Sequence, residues 1–216
     1  MTSGLLHIPA ALDLSAVAVG AVGGAATATG RAVADRIDVL GVAIVGIATG
    51  LGGSVLRDVL LGEPPAALFG GRYLLAALAA SVAGMAFAHW IIRASLGIAL
   101  LDAVSIGLYL ALGITKAQYA GLPIPGAVLV GIVACTGGGL LRDLLLGDPV
   151  AVVRVGSWYI TAALSAAAVF LICERFTGLG TATAVTVFTA STLRVLALLR
   201  AWTSPLARPF TLPSAR

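Results

Sequence analysis

The chain has 216 residues, of which 60% are hydrophobic and 10% charged, and its net charge is +4. A soluble globular protein carries about 25% charged residues. This composition therefore excludes a chain that faces water on all sides and predicts an integral membrane protein surrounded by lipid. The 13 Lys and Arg residues are scattered singly, whereas a nucleic-acid-binding surface requires a basic cluster. We therefore expect membrane lipids as partners and no nucleic acid.

Several segments are long and apolar enough to cross ~30 Å of hydrocarbon. In chain order, the seven predicted spans are Ala11–Gly30, Ile37–Leu61, Tyr73–Ile92, Ser95–Thr115, Pro123–Leu146, Ser157–Cys173 and Thr181–Leu199. The linkers are too short for a soluble domain, so residues 1–216 are predicted to form one transmembrane domain of the all-α class. The tail, residues 201–216, is basic and rich in proline, and we expect it to be disordered.

The basic residues of the loops predict the orientation of the chain. With the N-terminus outside, the outer side carries Arg72, Lys116 and Arg175. The inner side then carries the larger set: Arg31, Arg36, Arg93, Arg154, Arg200, Arg208 and Arg216. Cytoplasmic loops hold the excess of Lys and Arg. We therefore expect the N-terminus outside and the C-terminus in the cytoplasm.

Spans two and five carry the same motif. "GGSVLRDVLLGEP" at 52–64 and "GGGLLRDLLLGDP" at 137–149 are identical at nine of thirteen positions, and spans one and four align with Asp13 opposite Asp102. The chain thus divides into repeat one (about 11–93), repeat two (about 95–174) and an unpaired seventh helix (about 181–200). Three spans per repeat make the second copy enter from the opposite side. This predicts an inverted repeat, an arrangement that many transport proteins use.

Glycine clusters in the middle of spans two and five predict a weak point in each helix, since Gly costs about 1 kcal/mol relative to Ala there. A kink or short unwound turn is tolerated at membrane depth where it lines a water-filled cavity, and its carbonyls could then contact an ion. The alternative is close helix packing through small residues. The candidate pathway residues are Thr49, Gly50, Gly52, Gly53 and Ser54 in span two, and Thr136, Gly137, Gly138 and Gly139 in span five.

An Arg-Asp pair follows each glycine cluster by about one turn. Charged side chains inside a bilayer are costly and therefore face the bundle interior and find partners. Neighbouring residues on a helix do not face each other, so we expect neither arginine to pair with its own neighbour. The expected pairs join the two repeats, Arg57 with Asp143 and Arg142 with Asp58, or else involve Asp13 and Asp102. Alternatively, these charges only hold the halves together.

Other polar residues are weaker candidates. Asp13 and Asp102 fit an interfacial position or a pathway carboxylate equally well. Arg194 either faces the pathway or, as we expect, extends towards the inner interface. Lys116 either senses the membrane field or, as we expect, is an interfacial lysine. The two histidines lie too far apart in the chain to indicate a metal site, and the spans contain no nucleophile–base set that would indicate an enzyme.

Spans grouped as three, three and one, with G-G-x-x-x-R-D in spans two and five, resemble the bacterial and archaeal branch of the trimeric intracellular cation (TRIC) channels. The resemblance extends from about Leu12 to Leu199. It implies a homotrimer in the prokaryotic cell (inner) membrane, with a potassium-permeable pore in each protomer between the kinked second and fifth helices. It also implies pathway or gating roles for the glycine-cluster residues and for Arg57, Asp58, Arg142 and Asp143, with potassium as permeant ion and no cofactor.

The function expected from sequence and resemblance together is a passive channel for monovalent cations, most of all potassium. A secondary transporter for a small zwitterion such as glycine fits an inverted repeat with broken helices equally well. Such a transporter would show saturable uptake and no unitary currents.

Overall fold

The computed structural model of the protein describes residues 10–94, 96–153 and 158–202. This part of the chain contains nine α-helices: α1 (Ala10–Asp35), α2 (Val39–Leu60), α3 (Ala66–Phe69), α4 (Gly71–Ala86), α5 (Ala88–Arg93), α6 (Gly97–Tyr119), α7 (Ile124–Leu146), α8 (Tyr159–Glu174) and α9 (Leu179–Leu199). A 3-10 turn, Ala151–Val153, follows α7. The predicted disordered tail from residue 203 onward lies outside the described residues, as do Arg154 and Ser157.

Five helices are long and apolar enough to cross a membrane, namely α1, α2, α6, α7 and α9. They match the first, second, fourth, fifth and seventh predicted spans within a few residues. The third and sixth predicted spans are shorter, because α4 and α8 each have 16 residues, about 24 Å of helix. The third span is also not one continuous helix. Phe87 adopts φ −95° and ψ 3°, which ends α4 before α5 begins.

Local sequence signals set the ends of the two repeat helices. The carboxylate of Asp38 accepts the backbone N–H of Gly41 at 2.7 Å, which caps the start of α2. Gly62 and Gly147 follow α2 and α7 with φ of 70° and 66°, a left-handed conformation that favours glycine. The Gly-acid-Pro endings of the repeated motif therefore act as helix stops, as their sequence predicts.

The glycine clusters lie where α2 and α7 cross. Both helices remain α-helical through these glycines, so the predicted unwound turn is wrong, and the close-packing alternative describes the crossing. A Cβ added to Gly52 would lie 2.6 Å from Leu141 Cδ1, and one added to Gly137 would lie 2.6 Å from Leu56 Cδ1. Small residues thus let two backbones approach more closely than any larger side chain would allow.

The contacts at this crossing are reciprocal. A Cβ on Gly53 would overlap the carbonyl oxygen of Ala134, and a Cβ on Gly138 would overlap that of Thr49. The two contacts are equivalent under the repeat offset of 85, because Gly53 corresponds to Gly138 and Thr49 corresponds to Ala134. Each helix therefore presents the same surface to the other, as two copies do across a two-fold axis. Around this crossing, α1 packs on α2 and α4, while α6 packs on α7 and α9.

Gly138→Ala should lower the free energy of unfolding by about 1–3 kcal/mol, because the added methyl overpacks the crossing. Gly53→Ala should lower the free energy of unfolding by a similar amount, because its methyl would overlap the carbonyl oxygen of Ala134 in the reciprocal contact. The matched control is Gly180→Ala in α9, where an added Cβ meets nothing within 4 Å and the change should stay within about 0.5 kcal/mol. Equilibrium unfolding in mixed detergent micelles, followed by circular dichroism, measures all three. Equal stability of G138A and G180A would contradict the close approach.

Candidate functional site

Arg57, at the end of α2, is the centre of a buried group of charges. Its Nη1 donates to Asp13 Oδ1 on α1 at 3.0 Å, and its Nε donates to Asp58 Oδ1 at 2.8 Å. The hydroxyl of Tyr73 on α4 donates to the other Asp13 oxygen, Oδ2, at 3.1 Å. The Arg57 and Asp58 side chains are 1% and 0% exposed, so the cost of desolvating both is offset only by these contacts.

Three further contacts complete this group. Lys116 Nζ on α6 lies 2.9 Å from Asp58 Oδ1 and 2.5 Å from Glu63 Oε2. The backbone N–H of Ala66 donates to Asp58 Oδ2 at 3.0 Å. We call Asp13, Arg57, Asp58 and Lys116 the first charge cluster. Lys116 is therefore not the simple interfacial lysine that the sequence predicted, since it neutralises a buried carboxylate.

The second repeat builds a related group around Arg142 on α7. Its Nη1 donates to Asp102 Oδ1 on α6 at 3.1 Å, and its Nε donates to Asp143 Oδ1 at 2.9 Å. The backbone N–H of Ala151 donates to Asp143 Oδ2 at 2.8 Å. Arg194 of α9 places Nη2 3.7 Å from Asp102 Oδ2. We call Asp102, Arg142, Asp143 and Arg194 the second charge cluster.

Two predictions about these charges are wrong. Each arginine pairs within its own repeat, with Asp13 or Asp102 from the preceding long helix, and not with the aspartate of the opposite repeat. Each arginine also binds its own neighbour in sequence. The reason is the length of the arginine side chain: Nε can fold back to an adjacent carboxylate while the guanidinium end reaches the neighbouring helix. The alternative pairing with Asp13 and Asp102 is confirmed.

The two clusters lie at different levels along α1, because Asp102 lies beside Gly20 and Gly23 in the middle of that helix. Asp13 is near its start, whereas Arg31, near its end, forms ion pairs with Asp35 and with Asp148, which follows α7. Eighteen residues of helix separate Asp13 from Arg31, about 27 Å. The ion pairs Arg31–Asp148 and Lys116–Glu63 are also equivalent under the offset of 85, because Arg31 corresponds to Lys116 and Glu63 corresponds to Asp148. The ends of the two repeats are thus tied to each other reciprocally, one tie beside each cluster.

Two cavities meet at the second charge cluster. The wide cavity has a volume of about 330 Å³. Most of its lining residues are apolar, and the charged ones are Asp102, Arg142 and Arg194. The narrow cavity has a volume of about 10 Å³ and extends past Asp102 and Arg142 to Thr49, Tyr109 and Gly138 at the helix crossing. About one water fits in a space of that size.

The glycine clusters contribute to this site less directly than the sequence predicted. Of the predicted residues, Thr49, Gly138 and Gly139 line the narrow cavity, while Gly52, Gly53 and Gly137 are used in the α2–α7 contact. The predicted hydroxyls bond to their own helices: Thr49 to Val45 O at 2.6 Å, Ser54 to Leu51 O at 2.9 Å and Thr136 to Ile132 O at 2.8 Å. The Gly50 carbonyl accepts the hydroxyl of Tyr109.

Sequence reasoning missed three tyrosines. Tyr109 closes the narrow cavity against Gly50, Tyr73 supports Asp13, and the ring of Tyr159 lies 4.8 Å from the Arg194 guanidinium. A tyrosine inside an apolar span signals a hydroxyl that needs a partner, and this signal was available. Cys135 also lines the narrow cavity. In the described part of the chain, no three His, Cys, Asp or Glu side chains gather as a metal site would need.

Arg194 also departs from its predicted position. It is 6% exposed and points into the wide cavity beside Asp102 and Arg142. A guanidinium on an aromatic face is stabilised by cation–π attraction, so Tyr159 helps to hold it inside. It does not extend to the inner interface.

Comparisons with known proteins agree with this arrangement. Residues 10–89 and 99–175 match the family model described as glycine transporter. A UPF0126 membrane protein of Deinococcus radiodurans is 34% identical over 169 residues, 77% of this chain and 77% of that protein. The UPF0126 membrane protein YvgT of Bacillus subtilis is 30% identical over 139 residues, 62% of this chain and 67% of that protein.

Solved structures show the same fold. The TRIC channel orthologue from Rhodobacter sphaeroides has a TM-score of 0.78 and 31% identity, covering 89% of this chain and 98% of that one. A prokaryotic TRIC channel in 0.5 M KCl has a TM-score of 0.77 and 27% identity, covering 88% of this chain and 95% of that one. The resemblance to the prokaryotic TRIC family, predicted from the repeated motif, is confirmed.

Arg57→Gln should lower the free energy of unfolding by about 3–5 kcal/mol, because it leaves buried carboxylates without their main partner. A double-mutant cycle with Asp13→Asn should reveal a coupling of about 1–3 kcal/mol, as expected for groups in contact. The matched control cycle pairs Arg57→Gln with Asp143→Asn. In this control cycle, the changes in the free energy of unfolding caused by the two substitutions should add within about 0.5 kcal/mol, as expected for distant sites. Coupling to Asp143 but not to Asp13 would contradict the pairing within repeats.

Proposed function

Since the chain belongs to the membrane-protein family whose model is described as glycine transporter, and shares the fold of the prokaryotic TRIC channels, we propose that it is a channel for monovalent cations, with potassium as the favoured ion. The similarity to solved cation channels at 26–31% identity supports a cation as the permeant ion. The observation that carries the proposal is the wide cavity that narrows past Asp102 to the crossing of α2 and α7.

The proposal includes seven membrane crossings arranged as two inverted repeats and a seventh helix. Five crossings are α1, α2, α6, α7 and α9. The other two are α8 and the broken pair α4–α5, whose combined length is about that of a full span. The reciprocal contacts at the glycine crossing and the reciprocal ion pairs support an axis in the membrane plane, because a repeat of three crossings reverses direction.

The proposed pore lies within each protomer, between α2 and α7, and is bounded by α1 and α6. The narrow cavity takes residues from all four helices, including Gly20, Thr49, Ser105 and Gly138. Because it holds about one water, the conformation described here is a closed one. Tyr109 closes the path against the Gly50 carbonyl, so opening would require this tyrosine to move.

The second charge cluster gives this path charged groups that are held in fixed positions. In the second cluster, Asp102 borders both cavities and offers a carboxylate to an arriving cation. Carboxylates at a pore mouth raise the local concentration of cations. Arg142 donates to that carboxylate and holds it in place, which supports a pathway role for the Arg-Asp pair of the second repeat.

Assembly and orientation are further parts of the proposal. The solved relatives are described as trimeric, and we propose a homotrimer with one pore in each protomer. The excess of loop arginines on one side supports an N-terminus outside and a C-terminus in the cytoplasm. A relative in Escherichia coli is described as an inner membrane protein, which supports the cell membrane as the location of this chain.

A second candidate is a secondary transporter for a small zwitterion such as glycine. Two observations favour it: the description of the family model, and a wide cavity of about 330 Å³ that exposes both Asp102 and Arg142. A carboxylate and a guanidinium on one wall could match the two charges of an amino acid. Transport would need saturable, ion-coupled uptake, which a passive channel does not show.

The purified protein in planar bilayers under a potassium gradient should produce discrete current steps that reverse near the potassium equilibrium potential. The current through a passive pore that prefers cations reverses at this potential, whereas a neutral path for small solutes gives no reversal potential of this kind. Liposomes supplied with labelled glycine serve as the control. Silence in the bilayer together with saturable glycine uptake would contradict the channel and favour the transporter.

Asp102→Asn should lower the single-channel potassium conductance several-fold, because it removes the carboxylate that borders both cavities. The matched control is Glu174→Gln at the end of α8, an acid that lines neither cavity, and its conductance should equal that of the unmodified protein. Size-exclusion chromatography of each variant verifies that assembly is intact. Unchanged conductance in a correctly assembled D102N would exclude Asp102 from the pathway.

A further inference from the structure

The two charge clusters place their second cation on different carboxylates: Lys116 lies on Asp58 in the first, and Arg194 lies on Asp102 in the second. In the first cluster, Asp13 Oδ2 accepts the neutral hydroxyl of Tyr73 at 3.1 Å. In the second cluster, Asp102 Oδ2 faces the cationic Nη2 of Arg194 at 3.7 Å. Tyr159, near the position that repeats Tyr73, instead lies under the Arg194 guanidinium. A cation from the seventh helix thus occupies the place of a neutral hydroxyl from the repeat.

Arg194 lies where its charge acts on the path. It lines the wide cavity together with Asp102 and Arg142, and its side chain is 7% exposed. The remaining walls include the apolar residues Ile92, Ile98 and Leu198. Charges in a recess with apolar walls are screened less than charges on an open surface, so one added cation changes the potential throughout this cavity.

We propose that Arg194 sets the electrostatic potential of the wide cavity and so lowers its preference for cations. Without Arg194, the cavity wall would hold the carboxylate of Asp102 and one guanidinium, and Asp143 would lie beside them. With Arg194, the four members of the second cluster sum to zero charge. The role is one of charge selectivity, and it belongs to a helix outside both repeats.

The consequence for ion flow rests on the proposed channel function. Arg194→Gln should raise potassium conductance, because it removes a cation from the wall of the wide cavity, whereas Arg194→Lys should preserve it. The electrostatic potential of the cavity can be measured without any current. Such a measurement tests the role of Arg194 separately from the proposed channel function.

The test uses a cysteine placed at Ala99, which lines the wide cavity, in a protein whose own Cys135 and Cys173 are replaced by alanine. Methanethiosulfonate reagents of similar size and opposite charge, one cationic and one anionic, modify this cysteine in detergent micelles at low ionic strength. The ratio of the cationic to the anionic modification rate reports the local potential. Arg194→Gln should raise this ratio several-fold, and Arg194→Lys should leave it unchanged.

The matched control is Arg200→Gln, an exposed arginine at the end of the same helix, which should leave the ratio unchanged. Arg194→Met provides a second neutral variant in case the glutamine variant does not assemble. A ratio that is the same with and without the Arg194 charge overturns the inference. A raised ratio in a protein that passes no potassium current upholds the role of Arg194 in the cavity while contradicting the channel.

Discussion

The close approach of α2 and α7 at their glycines is the constraint on which the rest of the structure depends. Because Gly53 and Gly138 each face a backbone carbonyl of the other helix, the two helices cross at one depth and in one register. That register places Arg57 and Arg142 on opposite sides of the crossing, each next to the aspartate of its preceding long helix. Both charge clusters, and the narrow cavity that leads from the second cluster to the crossing, follow from this contact.

Burial of charge is tolerated here because each buried charge is paired with nearby groups, and the pairing is nearly complete. Each arginine has two carboxylates within hydrogen-bonding distance, and each neighbouring aspartate also accepts a backbone N–H, from Ala66 or Ala151. Such arrangements contribute specificity more reliably than net stability. In this protein they fix the ends of the helices that surround the path, while the apolar interior between them provides the packing.

Much of this structure can be predicted from the sequence, and the limits have physical causes. The long helices, the glycine stops at Gly62 and Gly147, and the burial of the Arg-Asp pairs follow from hydropathy and turn chemistry. Whether a glycine cluster unwinds a helix or lets another helix approach depends on the partner surface, and the sequence of one helix does not contain that information. The choice among four aspartates for two arginines likewise depends on packing. The positions of Tyr109 and Arg194 become clear only when α6 and α9 are in place.

The pairing of each arginine within its own repeat also bears on how the chain enters the bilayer. Asp13 precedes Arg57 in the chain by 44 residues, and Asp102 precedes Arg142 by 40. Each arginine therefore meets its carboxylate as soon as its own helical hairpin has been synthesised. An uncompensated arginine never has to wait in hydrocarbon for the other half of the protein. Each hairpin can be inserted with its arginine already paired, while Lys116 joins the first cluster and Arg194 joins the second only when later helices are in place.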